Sequence, residues 1–379
     1  MSGPLSDLRV VEFSGQGPGP FAGGLLADFG ADVIRIDRPG APLMPPKYDF
    51  YNRNKRSIVL NLKSTEGLEA ALGLVGTADV VIEGFRPGVM NKLGLGYEAC
   101  AKANPRIVYG SMTGWGQEGP MAMEAGHDIN YLALTGALHV IGHPDLPPAP
   151  PLNLVADLGG GGMYLAFGIM AAVHEARRSG QGQHIDAAMI DGVSHLMSAF
   201  IAFTQQGTWT ENRADNIVDG GSPDYGCYKT ADGKYVAVGA IEPQFYAALV
   251  TTLGLDPATI PDRADRANWP VLKAMFAERF RTRTRAEWEA LMAGHDACFS
   301  PVLTMTEAWS HPQMRARQVF RNFDGLVHPG PAPRLSRTPG GLRRATPAPG
   351  ANSQEIWSDW NMPTELWEKL VSSKSVGQS

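Results

Sequence analysis

His127, in Gly126-His127-Asp128, and Asp157, in Val155-Ala156-Asp157-Leu158, are the side chains best suited to move protons. An imidazole gives or takes a proton near neutrality. A carboxylate does so when its surroundings raise its pKa. Held apart on rigid elements, the pair suits proton removal from one face of a carbon and proton return on the other. Each residue also has a plain reading. A lone histidine is more often a satisfied structural residue, and a lone aspartate near a helix start is more often a cap. The glycines Gly159 to Gly162 speak against a cap alone. Each weakens a helix start by about 1 kcal/mol relative to alanine. A run of them makes sense where another group approaches the backbone closely.

The elements around this pair follow from the pattern. The apolar run 163–178 ends at Gly180 and predicts a helix. Asp157 then lies near its start, facing the positive dipole end and unpaired N–H groups. Residues 8–13, 33–36, 57–62, 79–82, 106–111 and 182–187 read as strands, and 21–29, 63–75 and 190–203 as helices. Gly15-Gln16-Gly17-Pro18-Gly19-Pro20 reads as a tight turn between the first strand and helix. This alternation predicts an α/β domain. A dinucleotide site with Asp37 as the ribose-binding acid is set aside, because Pro20 stands where the fingerprint needs its third glycine. Arg38, Lys63, Arg86 and Lys92 fall at or just beyond strand ends. Open α/β sheets bind ligands there, and scattered cations suit a phosphate-bearing one.

A second domain follows a polar stretch, 208–222, that contains Asp219-Gly220-Gly221. Residues 225–229 and 234–238 flank Ala231-Asp232-Gly233 and predict a hairpin. Pro243 fits the first turn of a helix to 253, which puts Glu242 at its N-terminus. Thr284 and Glu287 form a capping box. The division is therefore 1–207 as a large domain, 208–222 as a linker, 223–325 as a small α+β domain, and 326–379 as a segment returning to the large one. A second Gly-His-Asp at Gly294-His295-Asp296 lacks a later aspartate and a glycine-rich helix start.

Composition removes several classes. The 379 residues carry a formal charge of −5 and a pI of about 6.0, which fits neither nucleic acid nor an anionic membrane surface. Cys100, Cys227 and Cys298 are far apart, and no Cys-x-x-Cys or His-Glu-x-x-His occurs, so no metal site is expected. The N-terminal stretch has no basic and apolar leader pattern, and no single run reaches membrane-spanning length. A reducing, cytoplasmic setting is expected.

Longer motifs add a resemblance. Leu8-Arg9-Val10-Val11-Glu12, Gly30-Ala31-Asp32-Val33 with Arg38, and Glu83-Gly84-Phe85-Arg86-Pro87-Gly88 belong to it. So do Thr113-Gly114-Trp115-Gly116-Gln117, Ala125 to Tyr131, Asp186-Ala187-Ala188-Met189, and Val238 to Tyr246. With these motifs most of the chain resembles the α-methylacyl-CoA racemases of the class III CoA-transferase superfamily. The resemblance implies a Rossmann-like large domain plus a smaller α+β domain in an interlocked-ring homodimer, with each site shared between subunits. It implies His127 and Asp157 as the acid/base pair, His127 serving the S and Asp157 the R substrate. It implies that Glu242 of the neighbouring chain orients His127. It matches Arg38, Leu60, Asn61, Leu62, Lys63, Glu83, Gly84, Phe85, Gly126, Asp128, Ile129, Asn130 and Tyr131 to CoA-contacting segments. Lys92 stands where these racemases usually have arginine, which keeps the charge but loses the bidentate fork.

The chemistry so implied is a proton transfer at C2 of a 2-methylacyl-CoA through an enolate, with no metal and no cofactor beyond the CoA thioester itself. A backbone N–H after Asp157 is expected to stabilise the enolate oxygen. The main alternative is a class III CoA-transferase in which Asp157 is a nucleophile. Such transferases commonly place an aromatic residue where this chain has His127, which favours the racemase. A CoA-thioester binding protein without activity is disfavoured because both proton carriers are present.

Overall fold

The computed structural model describes residues 3–40, 42 and 44–377; Met1, Ser2, Ala41, Leu43, Gln378 and Ser379 lie outside them. The chain divides into two compact units. One comprises Met1–Thr135, Leu152–Leu196 and Gln318–Ser379, and the other Gly136–Pro151 and Met197–Arg317.

The first unit runs β1 (Arg9–Phe13), α1 (Pro18–Asp28), β2 (Asp32–Asp37), β3 (Arg56–Val59), α2 (Thr65–Thr77), β4 (Val80–Glu83), α3 (Val89–Lys92), α4 (Tyr97–Ala103), β5 (Val108–Thr113) and α5 (Asp128–Leu134). It resumes with a π-helix (Leu154–Met163) that continues directly into α6 (Tyr164–Ser179), then β6 (His184–Ala188) and α7 (Met189–Leu196). The strands form one parallel sheet in the order β3-β2-β1-β4-β5-β6. Val10, Val11, Val33, Ile34, Val80, Val81 and Ile82 are wholly buried, the continuous apolar signature of parallel strands covered on both faces. Strand order reverses between β1 and β4, and in such sheets a crevice opens beyond the carboxyl ends of the strands at that point.

Glu12 is the buried charged residue on β1. It is matched by Lys55, whose Nζ donates to both carboxylate oxygens (2.8 and 2.7 Å), to Pro20 O (2.9 Å) and to Asn52 Oδ1 (2.8 Å). Helix α1 starts at Pro18, so the stretch read as a turn is in part the first helical turn. Proline is tolerated there because its missing N–H would have no partner anyway.

The predicted helix 163–178 begins earlier, at Leu154, because the glycine run adopts π geometry instead of ending the helix. The resulting 26-residue helix, Leu154–Ser179, is long and apolar enough to cross a membrane by length and composition. One side of it packs within the unit, where Gly160, Gly161, Gly162, Leu165 and Ile169 are buried, while Leu154, Met163 and Phe167 are exposed. The predicted helix 190–203 is instead two helices, because the chain breaks at Met197.

The second unit contains α8 (Ser198–Gln206), β7 (Tyr225–Lys229), β8 (Tyr235–Gly239), α9 (Pro243–Thr252), α10 (Trp269–Phe280), α11 (Arg285–Met292), β9 (Phe299–Val302), α12 (Met305–Ser310) and α13 (Pro312–Ala316). Its antiparallel sheet runs β7-β8-β9 and packs Tyr228, Val236 and Val238 against Leu249, Phe276, Phe280 and Trp288. The capping box at Thr284 and Glu287 is formed. Residues 136–151 belong to this unit because Arg213 donates to the carbonyls of His139, His143 and Leu146 at 3.0–3.1 Å.

The chain then re-enters the first unit with β10 (Phe320–Phe323), β11 (Leu326–Pro329), α14 (Ser353–Asp359) and α15 (Thr364–Ser372). Trp357, Trp360 and Leu370 close one face of the parallel sheet with Leu74, Ile34 and Val81.

Candidate active site

Asp157 sits in the first turn of the π-helix, not ahead of a helix start. A π-helix bonds i to i+5, so the N–H groups of its opening turn have no partner within it. Asp128 supplies one: its Oδ2 accepts from the N–H of Ala156 and of Asp157, each at 2.8 Å. The N–H groups of Ala156 and of Asp157 itself are therefore already engaged.

The glycines after Asp157 do admit a close approach, and the approaching groups are helices α1 and α7. A methyl on Gly160 would stand 2.8 Å from Val193 N, and one on Gly192 would stand 1.9 Å from Gly160 O. A methyl on Gly162 would meet Phe21 Cδ1 at 2.6 Å and Pro18 O at 2.9 Å. Backbone packing on both sides thus fixes the helix that carries Asp157.

His127 is the N-cap residue of α5. Its own N–H donates to Asn130 Oδ1 at 3.0 Å, so Asn130 folds back over the helix start. Gly126 lies on the ring of Tyr131, where a methyl would come 2.7 Å from Cε1. Tyr131 in turn packs edge-on against Trp115, with centroids 4.7 Å apart. His127 is exposed while Tyr131 and Asp128 are buried, so the exposed imidazole stands on a buried base.

His127 and Asp157 line the same cavity of about 730 Å³. Its walls come from residues that follow β1 (Gly15 to Pro20), β4 (Gly84 to Pro87) and β5 (Gly114, Trp115), which places it at the strand reversal. Burial pushes the Asp157 carboxyl above the usual carboxylate range; the hydrogen bond from Asn153 opposes this, nearby Asp128 adds to it, and His127 opposes it. Burial, with Asp157 nearby, also raises the Tyr51 and Tyr131 hydroxyls. Glu83 is raised by burial against hydrogen bonds from Ser111 and from Phe85 N–H, the latter at 2.8 Å. Such an arrangement can hold one carboxyl and one imidazole in reach of a common ligand.

Matches to known proteins follow the same lines. A family model for CoA-transferase family III matches residues 5–353. The chain belongs to CoA-transferase family III. It is 45% identical over 375 residues to the alpha-methylacyl-CoA racemase of Mus musculus, covering 98% of this chain and 97% of that one. The alpha-methylacyl-CoA racemase of Homo sapiens is 43% identical over 378 residues, with 98% and 97% covered. The crystal structure of a CaiB/BaiF family protein from Brucella suis superposes with a TM-score of 0.82 at 29% identity, covering 95% of this chain and all (100%) of that one.

Within this family III chain, the residues singled out from sequence fall into distinct places. Glu83, Gly84, Phe85, Gly126, Asn130 and Tyr131 line the cavity with His127 and Asp157. Arg38 and Lys63 are exposed just past the ends of β2 and β3, on the same carboxyl edge of the sheet. Leu60 is buried and bridges to Val376, and Asn61 N–H donates to Ser375 O at 2.9 Å, so these two residues anchor the C-terminal segment. Leu62 is half-buried, and Lys92 and Ile129 are exposed without lining the cavity. Asp128 is turned inward to the backbone of the π-helix. Glu242 is exposed at the N-cap of α9 in the second unit.

Sequence reasoning missed Asn153, Tyr51 and Met112 on the cavity wall. Asn153 stands four residues before Asp157, a helical spacing that would have flagged it had the helix been started at Leu154. Tyr51 and Met112 carry no local signal.

Proposed function

We propose that the cavity takes the thioester end of a 2-methylacyl-CoA and that the chain inverts the configuration at C2. The observation that carries this is the placing of His127 and Asp157, on separate helices, in the wall of one cavity at the strand reversal. The racemase relatives support the substrate class. In one direction the C2–H bond breaks and its proton passes to His127; the electron pair delocalises onto the thioester oxygen as an enolate, and a proton from Asp157 forms the new C2–H bond. In the other direction the roles exchange. Asp157 can serve as either acid or base because burial raises its pKa toward the working range. No further cofactor enters this scheme. Arg38 and Lys63, exposed along the carboxyl edge of the sheet, suit the phosphates of a CoA extending from the cavity.

In the same proposal the working form is a homodimer, and Glu242 of a second copy orients His127. Exposed apolar side chains near the cavity-forming helices support a covering copy: Phe167 is 75%, Leu134 60% and Leu154 56% exposed.

The test is incubation of one enantiomer of a 2-methylacyl-CoA in D₂O with no acceptor acid. Deuterium at C2 together with loss of optical purity is expected. No exchange, with CoA transfer appearing once a free acid is added, would make Asp157 the nucleophile of a transferase.

A further inference from the structure

We infer that Asp128 is a positioning residue whose buried carboxylate fixes Asp157 relative to His127. This rests on the proton-transfer reading above. Asp128 directly follows His127 in the chain and opens α5, while its Oδ2 grips the N–H groups of Ala156 and Asp157 at 2.8 Å each. One side chain thus ties the base on α5 to the acid on the π-helix. Only 6% of Asp128 is exposed, so it is not presented to a ligand as its place in the motif suggests.

An ordinary cap does not account for this arrangement. Serine, threonine or asparagine would cap a helix start about as well without burying charge. Here the second oxygen, Oδ1, is buried and takes no hydrogen bond among the described residues, a cost that a serine or threonine cap avoids. A full negative charge held beside Asp157 has a use, because it favours the protonated form of that neighbour. Asp128 therefore sets both where Asp157 stands and how readily it holds the proton it must deliver. Its own carboxylate touches no reacting atom.

The test uses the full-length protein and one enantiomer of a 2-methylacyl-CoA in D₂O, chosen as the one whose proton His127 removes. Two quantities are read: deuterium entering the recovered starting enantiomer, and inverted product. In Asp128→Ala, His127 still exchanges its face, but delivery from the Asp157 face weakens. The ratio of exchange with retention to inversion is expected to rise tenfold or more. A purely structural role lowers both quantities in proportion, and an unchanged ratio would overturn the inference. If Asp128→Ala does not fold, Asp128→Asn carries the test. It keeps one acceptor oxygen but removes the charge, so the pH limb of kcat assigned to Asp157 should move to lower pH. An unmoved limb with an unmoved ratio overturns the inference as well. Wild-type protein that neither exchanges nor racemises would instead sink the proton-transfer reading, so the two failures are distinct.

Discussion

Asn153 donates its side-chain N–H to Asp157 Oδ2 at 3.2 Å, from the residue that caps the π-helix on which Asp157 sits. This bond favours the carboxylate, while burial and Asp128 favour the acid. Removing it in Asn153→Ala should raise the Asp157 pKa further. Where Asp157 must be ionised to accept a proton, the rate falls as pH drops through that pKa. The acid limb of the pH–rate profile should therefore move to higher pH in the variant. At an exposed residue the bond is worth about 1 kcal/mol, or about fivefold in rate at a pH on that limb. Initial rates for both enantiomers across pH 5–9 would check this, and a limb moving to lower pH would contradict it.

The proposed sharing of the site between copies has its own consequence. If each site combines His127 of one chain with Glu242 of another, then His127→Ala and Glu242→Gln each lower activity strongly when alone. Co-expressed under two tags, the two variants pair at random, and heterodimers hold one site with both residues intact. Activity should return to roughly a quarter of wild type. No recovery in purified heterodimers would rule out a site that pairs His127 with Glu242 across chains.

Several features were open to a reader of the sequence. The strands from β1 to β6, the cavity residues His127 and Asp157, and the second-unit hairpin and capping box all have local signals: apolar runs, turn residues, cap spacings. The π-helix was not legible, because its glycines read as a helix breaker when taken alone. Their role depends on Gly192 and Pro18, which are brought in from other helices. Asp128 shows the same limit. Its motif marks the site, but only the fold shows that the carboxylate turns away from the cavity to hold residue 157. Likewise Pro18 and Pro20 read as turn residues until the helix they begin is seen.

The crossing of α7 over the π-helix predicts a sensitive point. A methyl on Gly192 would sit 1.9 Å from the carbonyl oxygen of Gly160, a contact between two backbones that no rotamer change can relieve. Gly192→Ala should destabilise the protein by about 2–4 kcal/mol. Denaturant titration followed by tryptophan fluorescence measures this. Gly226→Ala is the control, since nothing lies within 4 Å of the added methyl there. Equal midpoints for the two variants would refute the crossing as described.

The buried pair Lys55–Glu12 links stability to the site. Both side chains are closed to solvent, and Lys55 also holds Pro20 O, in the α1 turn whose residues Gly17 to Pro20 wall the cavity. Burial raises Glu12 and lowers Lys55, while each partner opposes the shift of the other, so neither is comfortable alone. Lys55→Met leaves a buried carboxylate without its partner and should cost about 3–5 kcal/mol. Adding Glu12→Gln removes the orphaned charge and should recover part of that loss in a denaturant titration. Activity should not recover with it, because neither substitution restores the bond to Pro20 O that fixes the cavity wall. A double variant that regains both stability and turnover would show that the pair serves folding alone.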